Sequence, residues 1–190
     1  LAVMQPLQPE GEDLSGSLLI AHPTLLDPNF RKSVVLLSAH SVEDGSLGVI
    51  INRPTGQTLG EADEAFAFGP LADVPVYEGG PVQTEQMLLA AWHWIPQSSA
   101  FRLYFGISQD KAIELQNTVF GAEIRAFLGY AGWSKGQLES ERQQHAWLIS
   151  GVNGHMMEGL DGTAMWREII SSVSPELMFL ADAPDDPEVN

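Results

Sequence analysis

The apolar residues of this chain come in short runs, and nearly every run is closed by proline, glycine or a turn. Ser17–Ala21, Ser33–Ser38 and Gly45–Asn52 are the first three, with His22–Asn29, including Pro23 and Pro28, between the first two. Pro54 closes the third and pushes Arg53 toward an extended backbone. Runs of about four to eight residues suit buried strands and fall far short of the ~20 apolar residues of a membrane span. The chain is therefore expected to be rich in strands and to carry no membrane-spanning helix.

The same pattern continues downstream. Val74–Glu78 reads as a fourth strand, and Met87–Ile95 and Phe101–Phe105 as a pair joined across Pro96–Ala100. Trp92 and Trp94 share one face of that pair, with His93 on the other. Ala122–Ala131 and His145–Ser150 complete the strands. Helices are fewer. Glu61–Phe68 reads as a short one ended by Gly69-Pro70. Ser108 caps a second that runs to about Val119, with Ala112, Leu115 and Val119 at helical spacing. A last helix is capped by Thr163, carries Trp166, Ile169, Ile170 and Val173 at i, i+3, i+4 and i+7, and stops at Pro175. Many strands without regular β-α alternation predict an α+β fold around a mostly antiparallel or mixed sheet.

Size decides how this fold is stabilised. The chain has 190 residues, 44% of them hydrophobic. A chain of that length buries roughly 70% of its unfolded surface and needs no covalent staples. It contains no cysteine, which excludes disulfides, thiolate metal sites and cysteine nucleophiles. One domain over 1–190 is expected, with a core at about 16–175 and acidic, Pro-rich tails at 1–15 and 176–190. The N-terminal residues lack the basic-then-apolar pattern of a secretory signal, so a cytoplasmic location is the expectation. Nine Lys and Arg stand against 25 Asp and Glu, a net charge of −16. Binding DNA phosphates needs clustered cations, and here only Arg31 and Lys32 adjoin, so direct nucleic-acid binding is not expected.

Several constellations could carry chemistry, and each has a structural reading beside it. In Trp133-Ser134-Lys135-Gly136-Gln137-Leu138-Glu139-Ser140-Glu141, Ser134 and Gln137 match a capping box, with Trp133 and Leu138 as its hydrophobic staple. The functional reading gives Gln137, Glu139 and Glu141 as polar groups near a glycine-lined turn. Asn52-Arg53-Pro54 presents an arginine fork at a strand end, suited to a carboxylate or phosphate, or to one of the chain's own acids. Glu78-Gly79-Gly80-Pro81 allows a tight turn or close backbone approach to a ligand, but lacks dinucleotide-loop and P-loop spacing.

The five histidines, His22, His40, His93, His145 and His155, show no metal-ligand spacing, so no metal is expected. Glu141 and His145 could share a helix face. His40, with Asp44 close in sequence, is the histidine singled out as a site candidate. Ser108-Gln109-Asp110-Lys111 matches the acylation motif S-x-x-K without its companion motifs, and Ser108 reads as a cap instead.

Taken in order, these segments resemble the YqgE/AlgH family of bacterial proteins. The matching pieces are Gly16–Ala21, Asp27–Phe30, Ser33–Leu37 with His40, and Gly48–Pro54. They continue with Gly79–Val82, Gly129–Trp133, Gly136–Glu139 with Glu141, Trp147 and Trp166. The resemblance spans about Gly16 to Val173. It implies an α+β domain whose sheet is split and curled into a partial barrel with a few flanking helices. It implies no established reaction and no cofactor, but a regulatory role of the kind described for exopolysaccharide production and linked to transcription. Two positions depart from the family pattern: Lys32, where Arg is common, and Arg142, where an aliphatic is common.

The function expected from all this is a cytoplasmic regulatory or binding module acting through a protein partner. The alternative is a small anionic ligand site, or an enzyme, built from the Asn52-Arg53, Gly79-Gly80 and Gln137–Glu141 loops. The candidate binding residues are Asn52, Arg53, Gly79, Gly80, Trp133, Gln137, Glu141 and His40, with no catalytic set assigned.

Overall fold

The computed structural model describes residues 14–41, 43–152 and 159–182. Among them the chain forms nine strands: β1 Leu18–Ala21, β2 Val34–Ser41, β3 Gly45–Ile50, β4 Pro54–Thr58, β5 Pro75–Glu78, β6 Val82–Ile95, β7 Ala100–Phe105, β8 Glu123–Trp133 and β9 Trp147–Ser150. Five helices accompany them: α1 Leu59–Ala62, α2 Gln109–Thr118, α3 Gln137–Gln143, α4 Gly162–Val173 and α5 Met178–Ala181. The strands run β4-β5-β8-β3-β2-β1-β9 across one sheet, while β6 pairs with β8 and β7 with β6. Every pairing is antiparallel except β5 with β8. The result is an α+β fold whose mixed sheet curls into half a barrel.

Strand β8 organises the curl. At Ala126–Leu128 it lies between β5 and β6, and at Ala131–Trp133 it lies against β3. The change of neighbour happens at Gly129, whose φ is 76°. Strand residues normally alternate faces with a period of two, and the positive φ breaks that alternation. Ile124 and Ala126 face the cluster under α2, whereas Ala131 and Trp133, of the opposite parity, face the cluster under α3.

The core accordingly has three parts. Leu18, Ile20, Val34, Leu36, Trp92 and Phe127 on one face meet Met165, Trp166, Ile169 and Ile170 of α4. Leu19, Ala21, Val35, Leu37 and Trp133 on the other face meet Leu138 of α3. Val76, Leu89, Ala91 and Ile124 meet Ala112 and Leu115 of α2. Trp166, fully buried, donates its indole N–H to the Ala21 carbonyl at 2.8 Å and so fixes α4 to β1.

The sequence expectations hold for most elements and need correction at several. Residues 54–58 form β4, an edge strand that a polar, proline-initiated segment does not announce. β6 begins five residues before the expected Met87 because Val82 pairs with Tyr130, with a register shift before Met87. The expected helix at 61–68 is α1 followed by a single 3-10 turn, Glu64–Phe66. α4 is entered from Asp161, so Thr163 lies inside it rather than capping it. Ser108 does cap α2, accepting the Lys111 N–H at 3.1 Å. Residues 1–13, 153–158 and 183–190 lie outside the described residues. The start of the expected C-terminal tail is ordered instead: Pro175–Leu177 forms a 3-10 turn that leads into α5, and Ala181 is buried in the same cluster as α4.

Candidate functional site

Asn52 follows β3 by two residues, with its side chain turned inward and 2% exposed. Its Oδ1 accepts the Val34 N–H at 2.9 Å, and its Nδ2 donates to the carbonyls of Lys32 (3.0 Å) and Gly162 (2.9 Å). Its own carbonyl accepts the Gly162 N–H at 3.0 Å. One amide thus ties the segment after β3, the start of β2 and the start of α4, and every polar atom of the side chain is occupied. Arg53 turns the other way. It donates from Nη1 to the Asn29 carbonyl (2.7 Å) and from Nη2 to the Arg31 carbonyl (2.9 Å). Burial pushes its guanidinium below its ordinary value, with Glu78 acting in the opposite direction. The fork is used on the chain's own Asp27–Arg31 turn, a backbone target rather than the acid expected from sequence. Beside that turn Lys32 adopts φ 55° and holds its ammonium 5.8 Å over the Trp166 ring.

Gly79 and Gly80 mark a close crossing of backbones. A Cβ on Gly79 would stand 2.4 Å from the Gly129 carbonyl oxygen, and one on Gly80 2.2 Å from the Tyr130 carbonyl. The approach that sequence reads as room for a ligand is filled by β8. Arg53 and Gly80 nonetheless share a small cavity of about 180 Å³ with Asn29, Ile50, Glu78, Pro81 and Thr84.

The third loop lies elsewhere. α3 starts at Gln137 after Gly136 at φ 76°, so Ser134 is not its cap. Instead the Gln137 Oε1 accepts both the Ser134 N–H (3.0 Å) and its hydroxyl (3.2 Å). The Gln137 amide Nε2 then donates to Glu141 Oε2 at 2.9 Å. Glu141 Oε1 accepts two indole N–H groups, from Trp133 at 3.0 Å and Trp147 at 2.8 Å. The two indoles stand edge to face at 6.0 Å, and Phe30 packs on both. A carboxylate carried to an aromatic wall is stabilised here by three neutral donors. His40 closes the far side of α3. Its Nδ1 lies 2.7 Å from the Ser46 hydroxyl and its Nε2 3.3 Å from Glu139, with the imidazole side chain 2% exposed. Its partner is thus Glu139, not Asp44. The expected Glu141–His145 face does not form: His145, with φ 62°, lies beyond the end of α3 and is exposed.

Two further groups were not legible in the sequence. Arg125, 5% exposed, lies 4.3 Å from the Tyr77 ring centroid and 4.9 Å from that of Trp92, and donates to the Ile51 carbonyl at 2.8 Å. Tyr77 in turn donates to Asp161 at 3.0 Å, and burial raises its phenol to about 12. The second group is on the surface beside α2. Phe68 and Phe120 are 103% and 104% exposed. Gln116 of α2 donates its amide N–H to the Pro70 carbonyl at 3.1 Å, which ties the turn after Phe68 to the helix that Phe120 follows. At the other end of α2 a cleft of about 430 Å³ is lined by Phe66, Met87, Leu89 and Ile107, with Asp63 at its margin. Phe179 of α5 is also 80% exposed; large exposed apolar side chains mark interaction surfaces where they cluster.

Of the residues singled out from sequence, the structure thus brings Arg53 and Gly80 to one cavity. Trp133, Gln137 and Glu141 join in a separate hydrogen-bonded cluster, with His40 at the side of the same helix.

These features define a class: an α+β half-barrel whose motif residues mostly tie its own elements together. The model of the AlgH-like family matches residues 18–178. A Streptomyces coelicolor protein of the UPF0301 group is 36% identical, over 95% of this chain and 97% of its own length. A Chlorobaculum tepidum protein of that group is 33% identical, over 92% and 95%. The solution structure of the AlgH protein from Pseudomonas aeruginosa, 27% identical, superposes with a TM-score of 0.64, covering 95% of this chain and 98% of that one. The crystal structure of a Corynebacterium diphtheriae protein, 20% identical, gives 0.70 over 95% of both chains and bears on the fold alone. The chain belongs to the AlgH-like family.

Proposed function

We propose that this chain is a cytoplasmic regulatory module that acts by binding another protein on the face beside α2. The carrying observation is the pair Phe68 and Phe120, both fully exposed: Phe68 lies two residues before Pro70, which the Gln116 amide of α2 holds, and Phe120 lies just after that helix ends. Exposure of two phenylalanines costs solubility and adds nothing to this chain's core, a pattern that fits a surface covered by a partner. The strongly acidic composition sets the sign of that partner's surface as positive. The test is a photo-crosslinking residue placed at Phe120 in growing cells of the source organism, with the same residue at exposed Gln57 on β4 as the control. A discrete adduct at position 120, absent at 57 and lost with Phe68→Ser, is the expected result. No adduct, or equal adducts at both positions, overturns the proposal.

A second reading has its own observation in the cavity shared by Arg53, Glu78, Gly80 and Thr84. A small anionic ligand there would be seen by thermal shift, since ligand at ~100 times its Kd stabilises the fold by about 2.7 kcal/mol. A shift produced by an anion and retained in Arg53→Ala would remove this reading.

A further inference from the structure

We infer that the ligand of the Arg53 cavity is a small α-amino acid, held as its zwitterion; this rests on the reading of that cavity as a ligand site. Three observations select it. The first is that charges of both signs line one small space. Arg53 gives two N–H groups to the Asn29 and Arg31 carbonyls, at 2.7 and 2.9 Å, and the rest of its fork has no hydrogen-bond partner among the described residues. Glu78 lines the same cavity, and its charge acts on the guanidinium. Among the described residues the Glu78 carboxylate makes no hydrogen bond or ion pair, so the two charges do not close on each other. A lone anion in this space would meet Glu78, and a lone cation would meet Arg53. A ligand that carries both a carboxylate and an ammonium gives each side chain its opposite. It also brings no net charge to a chain of net charge −16, whose field repels free anions.

The second observation is capacity. The cavity holds about 180 Å³. At the ~30 Å³ that a water takes up in the liquid, this is room for roughly six non-hydrogen atoms. The amino group, α-carbon and carboxylate use nearly all of them and leave space for a hydrogen, a methyl or a hydroxymethyl group. A nucleotide or a sugar phosphate is several times too large. Buried Ile50 and the Pro81 ring supply the apolar wall that a methyl needs.

The third is that the charged pair is set before anything binds. The Glu78 N–H donates to the Arg53 carbonyl at 2.9 Å, so the two residues are joined through their backbones. Gly80 beside them lies so close to β8 that a Cβ would stand 2.2 Å from the Tyr130 carbonyl. Groups already held in place lose little freedom on binding, which is what lets a ligand of so few atoms bind measurably.

The experiment titrates the full chain with L-alanine in a calorimeter. Propionate, which keeps only the carboxylate, ethylamine, which keeps only the amine, and L-phenylalanine, whose ring exceeds the cavity, are the comparison probes. L-alanine is expected to bind with a Kd of about 1 mM or tighter, at least tenfold more tightly than any of the three. Glu78→Gln, a change at an exposed side chain, should keep the parent's thermal midpoint. It is expected to weaken L-alanine at least tenfold and to leave propionate no weaker than in the parent. Propionate binding alone or as tightly as L-alanine overturns the inference, as does undiminished L-alanine binding in Glu78→Gln; in both cases the cavity remains an anion site. Ethylamine or L-phenylalanine binding as tightly as L-alanine overturns it too. The absence of binding by every probe ends the inference and the reading of the cavity together.

Discussion

Helices α3 and α2 are both laid across the sheet, and they treat their aromatic neighbours in opposite ways. Beside α3, Trp133 and Trp147 are buried, face each other, and direct both indole N–H groups to a single carboxylate oxygen of Glu141. Beside α2, Phe68 and Phe120 stand wholly in water, although the same helix buries Ala112 and Leu115 beneath it. One region has its polar and apolar demands met from within the chain. The other meets them only below the helix and leaves them open above. The difference teaches that the motif with the strongest sequence signature is the one the fold uses up, and that binding capacity sits where the signature is faint.

The largest effect expected on the closed side comes from Asn52→Ala. It leaves the Val34 N–H and the Lys32 and Gly162 carbonyls without their partner, and unsatisfied buried groups cost about 1–3 kcal/mol each before relaxation. A loss of about 3–5 kcal/mol in urea unfolding is expected; a loss below about 1 kcal/mol would show that water replaces the amide and that this side is less closed than drawn.

Next comes Glu141→Gln, which keeps one oxygen for the indoles but sets an N–H₂ against the Gln137 amide. About 1–3 kcal/mol should be lost, with a changed near-ultraviolet circular dichroism signal from Trp133 and Trp147. If stability is unchanged, the carboxylate is not what holds α3 down.

Tyr77 supplies a pH test of the same internal closure. Its phenol is neutral in the fold up to about 12, whereas an unfolded tyrosine ionises near ~10. The folded state therefore holds its proton longer, and stability is intact below ~10 and falls as pH rises toward 12. Thermal midpoints measured across that window should drop more steeply in the parent than in Tyr77→Phe. Equal slopes would show that the tyrosine is open to solvent.

The smallest stability effect belongs to the open side. Replacing Phe68 and Phe120 by Ser should move stability by no more than about 0.5 kcal/mol, the range for surface substitutions. A loss above ~1.5 kcal/mol would place both rings in the packing and end the contrast between the two helices.

Much of this fold is written locally. Leu18–Ala21 and Val34–Leu37 are apolar runs bounded by turn residues, and both became buried strands at those positions. β4, Pro-Thr-Gly-Gln-Thr, could not be seen, because an edge strand with polar, mostly exposed side chains carries no apolar period. The start of α3 was misplaced because a left-handed glycine, Gly136, begins the helix where Ser134 offers a plausible side-chain cap. The site was legible in its residues but not in its partnerships. Glu139 meets His40 about a hundred positions away in sequence, and Arg125 lies against two rings that come from other strands, beside its own strand's Glu123 at 3.1 Å. Phe68 and Phe120 could not be told from core residues, since exposure is decided by how the neighbouring loops fold and not by the side chain itself.

Strand β1 carries a consequence for how the molecule is made. It sits between β2 and β9, with Leu18 opposite Ser150 and Ala21 opposite Trp147. β2 is synthesised almost at once, but β9 follows about 130 residues later, on the order of ten seconds at ribosomal rates. Throughout that interval the nascent chain offers one unpaired edge of Leu18-Leu19-Ile20-Ala21, an apolar strand without a charge or a proline to protect it. The period of greatest exposure to misassembly is therefore set by translation of the middle of the chain, and slowing the ribosome there would lengthen it without altering a single contact of the finished protein.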